Sequence, residues 1–272
     1  MKNNPNISRV ATPVFTEFLG LGHSRKNNHQ ALAATGAVAV NDWHSTMFVA
    51  EMEKGNPASD LVLFDGGYDK NAYQLKRYLA MREVGLRVGQ PRGADAITKN
   101  LITHAHPDHV GAVHAINSQT YISEADSKVL SGDSPSEGQI PSLLHKLGIS
   151  RVAFPGLVPE LITQDQEFIF GELTVRAIAV AGHTGGSMAF LVRRGLEDQP
   201  SDLIVGDALD FRRDGSVVNA HKRFSGDTEA SEQSIIDLSR YLIELGIMNG
   251  DVGTGHSGVG TIEAIHNFKR AA

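Results

Sequence analysis

The chain has 272 residues, of which 41% are hydrophobic and 21% charged, and it contains no cysteine. This length suffices for one large domain or two small ones. The absence of cysteine excludes disulfides, iron–sulfur clusters and thiol nucleophiles. The formal net charge of −6, without any block of five like charges, argues against bulk nucleic acid as a partner.

No apolar run reaches the roughly 20 residues that a membrane-spanning helix needs. The N-terminal residues include Arg9, Thr12 and Glu17 and lack the unbroken apolar core of a signal peptide. We therefore expect a soluble, cytoplasmic protein that does not contact a membrane.

Short apolar runs and helical spacings alternate along the chain without a repeat of fixed period. Strands are predicted at 37–40, 46–51, 61–64, 97–103, 119–122, 151–154, 167–170, 173–179, 188–192, 203–205 and 251–254. Helices are predicted at 72–84, 107–115, 123–130, 140–147, 231–245 and 261–268. This mixture favours a layered α/β architecture. No linker divides the chain, so we expect a single domain over residues 1–272.

Residues 1–36 form an N-terminal extension to this pattern. The apolar side chains of its segment 15–21 are expected to cover the mouth of an active site or to pack on a second subunit, which would make the protein a homo-oligomer.

The densest cluster of metal-competent side chains follows the predicted strand 97–103. His104 and His106 are two residues apart and project to one side of extended backbone. Pro107 suits the first turn of a helix, so Asp108 and His109 leave from the start of that helix. These side chains predict a site for one or two divalent ions.

Three later segments repeat one design, in which an apolar run is followed by glycine and then by a ligand-type residue. His183 follows Gly182, Asp207 follows Gly206 and His256 follows Gly255. Strand ends are where open α/β sheets place their sites, and glycines allow the backbone to approach a shared centre.

The pattern His104-x-His106-x-Asp108-His109, followed by His183, Asp207 and His256, resembles the metallo-β-lactamase-fold hydrolase superfamily. The segment 61–67, with Asp65 at its turn, is similar to the early strand of that family. The resemblance extends over about residues 37 to 268 and implies a four-layer αββα sandwich with the metals at one edge.

The resemblance also implies a ligand set for two metal ions. His104, His106 and His183 would hold the first ion, and Asp108, His109 and His256 would hold the second. Asp207 would bridge the two ions, and Asp65 would orient a ligand from behind. Histidine and carboxylate ligands suit Zn²⁺, and iron or manganese fits the same atoms.

Two such ions lower the pKa of a bound water and supply hydroxide near neutral pH, while Asp108 relays a proton to the leaving group. The expected reaction is hydrolysis of a small ester, lactone or thioester. Three alternatives stay open: a phosphodiesterase for a nucleotide-type substrate, a β-lactamase-like amide hydrolase, and a metal-binding scaffold without turnover.

Differences between this chain and two sub-families of the superfamily narrow the range of expected substrates. Authentic β-lactamases generally lack the bridging carboxylate that Asp207 represents. Acyl-homoserine lactonases carry a tyrosine three residues after it, where this chain has Asp210. His221, beside Lys222 and Arg223, is a candidate for contact with an anionic substrate or leaving group, and Tyr68 is a candidate pocket residue.

Overall fold

The computed structural model describes residues 30–42, 44–56, 58–84, 93–146, 154, 156–195 and 199–268. Its strands are β1 (Val38–Asn41), β2 (Thr46–Glu51), β3 (Leu61–Phe64), β4 (Ile97–Leu101), β5 (Gln119–Ser123), β6 (Glu160–Ile162), β7 (Glu167–Phe170), β8 (Leu173–Ala179), β9 (Met188–Arg194), β10 (Ser201–Gly206), β11 (Leu209–Phe211), β12 (Val217–Asn219), β13 (Asp251–Thr254) and β14 (Val259–Thr261).

The helices within these ranges lie mostly between strands. They are α1 (Tyr73–Val84), α2 (Pro107–Val110), α3 (Glu124–Ser131), α4 (Gln139–Lys146), α5 (Thr228–Glu244) and α6 (Ile262–His266). Two 3₁₀ helices cover Gly93–Ala96 and Gly111–Ala115. No helix among the described residues is long and apolar enough to cross a bilayer.

Two six-stranded mixed sheets form the centre of the molecule. The first has the order β1-β2-β3-β4-β5-β6, antiparallel from β1 to β3 and parallel from β3 to β6. The second has the order β14-β13-β10-β9-β8-β7, in which only β10 and β13 pair in parallel. β11 and β12 form a separate hairpin.

The sheets pack face to face, and helices cover their outer faces. Phe64 of the first sheet meets Phe190 of the second with ring centroids 5.7 Å apart. Leu75 and Leu79 of α1 pack on the outside of the first sheet, and α5 and α6 pack on the outside of the second. Each fully buried side chain of this size contributes about 1.5–3 kcal/mol. The expected αββα sandwich is confirmed.

Most predicted elements are present, with differences at their ends. The helix predicted from residue 231 begins at Thr228, because the side chain of Asp227 accepts hydrogen bonds from the free N–H groups of Glu229 and Ala230. The helix predicted at 107–115 changes from α2 to a 3₁₀ helix at Gly111.

Four short strands, β6, β11, β12 and β14, were not predicted. Residues 151–153 of the strand predicted at 151–154 lie outside the described residues.

The described part of the predicted extension contacts the second sheet. The backbone N–H and hydroxyl of Thr35 donate to Asp202 at 2.8 and 2.6 Å, and Ala33 donates to Asp251 at 2.7 Å. These carboxylates lie at the N-terminal ends of β10 and β13, opposite to the ends that precede Asp207 and His256. Residues 1–29, including the segment 15–21, lie outside the described residues.

Candidate metal centre

The candidate metal ligands lie at one edge of the sandwich because the strands that precede them run in the same direction. β9 is antiparallel to both β8 and β10, and β13 is parallel to β10, so β8, β10 and β13 end at the same edge. The end of β4 joins them where Met188 donates to the carbonyl of Thr103 at 2.8 Å.

The ligand-type side chains at this edge divide into two groups, in each of which one nitrogen or oxygen atom per residue lies within 4.8 Å of the others. The histidine group consists of His104, His106 and His183. The mixed group consists of Asp108, His109, Asp207 and His256. The structure therefore brings together all seven residues that the resemblance implies as ligands.

Asp207 lies between the two groups. Its Oδ2 is 2.8 Å from Nε2 of His256 in the mixed group and 3.6 Å from Nε2 of His183 in the histidine group. Its Oδ1 is 3.2 Å from Nε2 of His109. One carboxylate thus reaches both groups.

Two of the neighbouring positions leave no space for a side chain. A Cβ at Gly255 would overlap Oδ1 of Asp207 and would lie 2.7 Å from Cε1 of His109. Gly206 has φ of +53°, and a Cβ there would overlap the hydroxyl of Thr103. Glycine at these positions lets the strand ends approach the centre.

The imidazole of His106 is oriented by a backbone carbonyl. Its Nε2 lies 3.0 Å from the carbonyl oxygen of Glu137, which only accepts, so Nε2 carries the hydrogen and Nδ1 carries a lone pair. That Nδ1 lies 2.9 Å from Nε2 of His183, whose Nδ1 is 3.2 Å from the hydroxyl of Ser225. The two facing nitrogens can share a cation.

The same reasoning assigns the tautomers of the two histidines in the mixed group. Nδ1 of His109 donates to Asp65 at 2.8 Å, and Nδ1 of His256 donates to the carbonyl of His44 at 2.7 Å. In both rings Nε2 therefore points toward Asp207. Acceptors behind the rings that fix the inward nitrogen are typical of metal sites.

Among the residues that the structure describes, the buried Nε2 of His104 has no hydrogen-bond partner. The buried Nε2 of His109 and Oδ1 of Asp207 have none beyond their 3.2 Å contact with each other. A buried polar atom without a partner costs about 1–3 kcal/mol, and a cation at the centre would remove that cost. Imidazole nitrogen and carboxylate oxygen are ligands of zinc, iron and manganese, so the donor set fits divalent metal ions.

The histidine group is neutral at physiological pH. Burial lowers the pKa of His104 and of His183 well below its ordinary value, and the neighbouring imidazoles lower it further. Burial also lowers the pKa of His106, although the charge of Asp108 partly offsets this effect. Neutral imidazole is the form that binds metal.

The mixed group holds protons when no metal is bound. Burial opposes a charge on His109 and His256, but the nearby carboxylates, Asp207 foremost, outweigh it. The pKa of His109 is therefore well above its ordinary value, and that of His256 rises to about 9. Burial would raise the pKa of Asp207, but His256 and His109 hold it well below its usual range. An ion entering this group has to displace protons.

Asp65, expected behind a ligand, is buried at the end of β3. Its carboxylate accepts from Nδ1 of His109 at 2.8 Å and from the backbone N–H of Thr103 at 2.7 Å. The hydroxyl of Thr103 contacts both carboxylate oxygens, at 3.0 and 2.9 Å. Asp65 thus connects the end of β3 to a residue of the mixed group.

Two further carboxylates join the segments that carry the histidine group, and the sequence analysis did not single them out. Oδ2 of Asp126 accepts from Ala105 N–H at 3.1 Å and from the Thr184 hydroxyl at 2.8 Å. Glu137 accepts from Gly185 N–H at 3.0 Å. Burial raises the pKa of Asp126 to about 6. Neither residue lies in a pattern that would reveal a partner so distant in sequence.

The turn between β1 and β2 braces the mixed group from the first sheet. The hydroxyl of Ser45 donates to the backbone carbonyl of Asp108, and the carbonyl of His44 accepts from His256. Asp42 accepts from the backbone N–H of Ser45 at 3.2 Å and holds this turn. The sequence analysis missed these contacts because backbone carbonyls carry no sequence signal.

His221 contributes its backbone near the centre. Its carbonyl accepts from the hydroxyl of Ser225 at 3.1 Å, and that hydroxyl contacts His183. The imidazole of His221 is exposed and accepts from the N–H of Arg223 at 3.3 Å. The ring belongs to neither group of ligand-type side chains.

Tyr68 lies beside the mixed group without joining it. Its ring is 53% exposed and its centroid lies 4.7 Å from that of His44, whose carbonyl accepts from His256. The Tyr68 side chain is therefore exposed beside the turn whose carbonyl orients His256.

Asp210 supports the loop that carries His256. It accepts from the N–H of Ser257 at 3.0 Å and from the hydroxyl of Thr254 at 3.2 Å. The position at which acyl-homoserine lactonases have a tyrosine therefore has a bracing role here.

A four-layer αββα sandwich with a histidine and aspartate centre at its edge defines a class of metal-binding proteins. The family model described as the metallo-beta-lactamase superfamily matches residues 56–245. The chain therefore belongs to the metallo-beta-lactamase superfamily.

Two relatives share part of their sequence with this chain. The uncharacterized protein YobT of Bacillus subtilis is 34% identical over 120 residues, which are 41% of this chain and 46% of that protein, so the match spans less than half of YobT. An uncharacterized protein of Mycobacterium tuberculosis is 26% identical over 175 residues, 62% of this chain and 72% of that protein.

Solved structures share the fold at low sequence identity. An archaeal metallo-beta-lactamase superfamily protein from Sulfolobus tokodaii is 19% identical with a TM-score of 0.55, over 88% of this chain and 84% of that one. A subclass B3 metallo-beta-lactamase of Bradyrhizobium japonicum is 16% identical with a TM-score of 0.57, over 84% and 78%.

Proposed function

We propose that this protein is a dinuclear hydrolase that acts on a small carboxylic ester, lactone or thioester, with zinc as its metal. The observation that carries the proposal is the position of Asp207, whose carboxylate lies within 3.6 Å of a histidine nitrogen in each of the two groups. A carboxylate that reaches both groups suits two ions better than one.

In this proposal, each of the two groups of ligand-type side chains holds one ion. His104, His106 and His183 would hold the first ion, and Asp108, His109 and His256 would hold the second, with Asp207 shared. When bound, the two ions would lower the pKa of a water molecule and stabilise negative charge on the carbonyl oxygen under attack.

Asp108 is the proton carrier in this proposal. Its side chain is 26% exposed, against 0% for that of His109, so substrate and water reach it from solvent. Its Oδ2 lies 3.5 Å from Nε2 of His256, so it is within reach of the mixed group. Asp108 takes the proton from the attacking water and gives it to the leaving oxygen or sulfur.

Hydrogen bonds to the outer nitrogens of the histidine ligands fix the orientation of these rings during the proton transfer. Asp65 fixes the tautomer of His109, and the carbonyl of Glu137 fixes that of His106. Preorganised ligands reduce the rearrangement needed as charge develops in the transition state.

The neighbours that are named as subclass B3 β-lactamases make a β-lactam the second substrate to test. Asp207 argues against it, because authentic β-lactamases generally lack this carboxylate. Asp210 argues against a lactonase that uses the tyrosine found in acyl-homoserine lactonases, because it faces the loop of His256.

The test is a hydrolysis panel on metal-loaded protein with an acyl lactone, an aryl ester, a glutathione thioester, a β-lactam and an aryl phosphodiester. Asp108→Asn is measured beside Asp237→Asn, an exposed aspartate on α5. We expect turnover of carboxyl substrates that Asp108→Asn abolishes and Asp237→Asn preserves. Turnover of the β-lactam or the phosphodiester alone would overturn the proposal.

The metal is tested separately by reconstituting metal-free protein with zinc, iron or manganese. Two zinc ions per chain and the highest turnover with zinc support the assignment. A higher turnover with iron or manganese at equal occupancy would replace zinc with that metal.

A further inference from the structure

Asp42 is a buried carboxylate directly after β1 that belongs to neither group of ligand-type side chains. Its two oxygens accept from two different segments. Oδ1 accepts from the backbone N–H groups of His44 and Ser45, at 3.4 and 3.2 Å. Oδ2 accepts from the backbone N–H groups of Tyr68 and Asp69, the latter at 2.9 Å. The carboxylate therefore joins the β1–β2 turn to the loop that follows β3.

The β1–β2 turn contacts two residues of the mixed group from outside. The carbonyl of His44 accepts from Nδ1 of His256 at 2.7 Å. The hydroxyl of Ser45 donates to the backbone carbonyl of Asp108 and lies 3.3 Å from Oδ1 of Asp42. A turn that is released from Asp42 therefore loses its fixed position against both residues.

The loop that follows β3 contacts the helical segment that carries His109. The N–H of Gly66 donates to the carbonyl of His109, and the carbonyl of Gly67 accepts from the N–H of Gly111 at 2.7 Å. A Cβ at Gly67 would overlap the carboxylate of Asp42, so the loop lies close against that carboxylate. Asp42 thus acts on the mixed group by two routes, one through the turn and one through the loop.

The carboxylate behind the histidine group uses its oxygens differently. Oδ2 of Asp126 accepts both from the N–H of Ala105 and from the hydroxyl of Thr184. Its Oδ1 is buried and has no hydrogen-bond partner among the described residues. An asparagine side chain has one acceptor oxygen and one NH2 group, which donates. It can therefore keep both contacts of Asp126, but it cannot keep all those of Asp42.

We propose that Asp42 is a positioning residue for the mixed group and sets the affinity of the ion that this group holds, without affecting the histidine group. In Asp42→Asn the NH2 group faces the N–H donors of either the turn or the loop. Donors do not bind each other, so one of the two segments is released and the mixed group loses its support. This inference rests on the two ions of the proposed function and does not depend on the substrate.

The test measures the zinc occupancy of each group by anomalous scattering, in crystals of metal-free protein soaked at increasing zinc concentrations. Asp126→Asn is the matched control, because it makes the same substitution at an equally buried carboxylate. In Asp42→Asn, half-occupancy of the mixed group should need about 10–100-fold more zinc than in the wild type, with the histidine group unchanged. In Asp126→Asn the mixed group should fill as in the wild type.

A solution measurement with cobalt in place of zinc provides a spectroscopic readout, because the visible absorption of Co²⁺ depends on its ligands. The bands of the ion in the mixed group should need more cobalt in Asp42→Asn, and those of the ion in the histidine group should not. Equal losses at both groups would show a general structural role and overturn the inference. Unchanged occupancy of the mixed group would overturn it as well.

Ser45→Ala provides the same test if Asp42→Asn does not fold. This variant removes only the hydroxyl between the carboxylate of Asp42 and the carbonyl of Asp108. It should weaken zinc binding in the mixed group about tenfold, the lower end of the expected range, and an unchanged affinity would reject the role of the turn.

Occupancy is measured without a substrate, which separates this inference from the proposed function. Wild-type protein that holds an ion in each group but hydrolyses no ester contradicts the proposed function alone. A mixed group that stays empty in the wild type at saturating zinc overturns the inference.

Discussion

Replacing Asp65 by asparagine changes one atom of a buried group and should remove one ligand of the mixed group. In the wild-type protein the Asp65 carboxylate accepts from Nδ1 of His109 at 2.8 Å and from the backbone N–H of Thr103 at 2.7 Å. If the asparagine oxygen keeps the bond from Thr103, the amide nitrogen faces Nδ1 of His109. A donor there requires a lone pair on Nδ1, so the hydrogen moves to Nε2, the atom that points at Asp207.

The magnitude follows from the contacts that change. Loss of a single orienting partner behind a ligand costs about 10–100-fold in metal affinity. One buried donor or acceptor without a partner costs about 1–3 kcal/mol of folding free energy in the metal-free protein. We therefore expect Asp65→Asn to bind one zinc ion normally and the other about 10–100-fold more weakly.

Asp202→Asn is the matched control, because Asp202 is equally buried and accepts from Thr35 at the opposite end of β10. Zinc affinity is measured by equilibrium dialysis, and folding free energy by urea unfolding with chelator present. Both variants should lose folding free energy, but only Asp65→Asn should lose zinc affinity. Two ions bound with wild-type affinity in Asp65→Asn would refute the tautomer argument.

Four other predictions concern the centre and its support. Asp207→Ala should bind at most one metal ion per chain and lose hydrolysis, whereas two ions in elemental analysis would reject its shared position. Asp108→Asn should lower kcat by about 10²-fold or more without changing urea unfolding; wild-type turnover would exclude the proton role. Gly255→Ala should lower metal content, since a methyl group overlaps Asp207, and full occupancy would show that the loop moves aside. In metal-free protein, the stability of wild type relative to Asp126→Asn should fall by up to about 3 kcal/mol between pH 4 and pH 7. The reason is that Asp126 ionises near its usual pKa when unfolded but only at about 6 when folded. A pH-independent difference in urea unfolding would contradict this assignment.

The strand ends could be predicted from sequence because the signals are local. The bounds predicted for 46–51, 61–64, 173–179 and 251–254 agree with β2, β3, β8 and β13. Each is an apolar run bounded by turn residues, so a few neighbouring side chains decide where it ends.

The short edge strands could not be predicted by the same means. β6 has the sequence Glu160-Leu161-Ile162, in which only Ile162 is buried, and it is a strand because β5 pairs with it. β14 likewise depends on pairing with β13. Long-range pairing, and not local preference, decides these segments.

Candidate ligands could be identified one by one because each is a chemically distinctive side chain next to a strand end. The residues that orient them could not, because the partner atom is often a backbone carbonyl or a carboxylate far away in sequence. His256 and His44 are separated by 212 positions, and His183 and Ser225 by 42. The substrate contact of the His221 side chain stays a prediction, whereas the position of its carbonyl, which accepts from the Ser225 hydroxyl beside His183, had no signal in the sequence.

The bracing contacts explain why the centre lies between the sheets and belongs to neither alone. His256 follows a strand of the second sheet but is oriented by the β1–β2 turn of the first, through the carbonyl of His44. His106 follows a strand of the first sheet and meets His183 of the second at 2.9 Å. Because Asp207 contacts both groups, a displacement of either sheet edge changes the distances in both. The packing of the two sheets therefore sets the geometry of the centre, and substitutions between the sheets should alter metal affinity as well as stability.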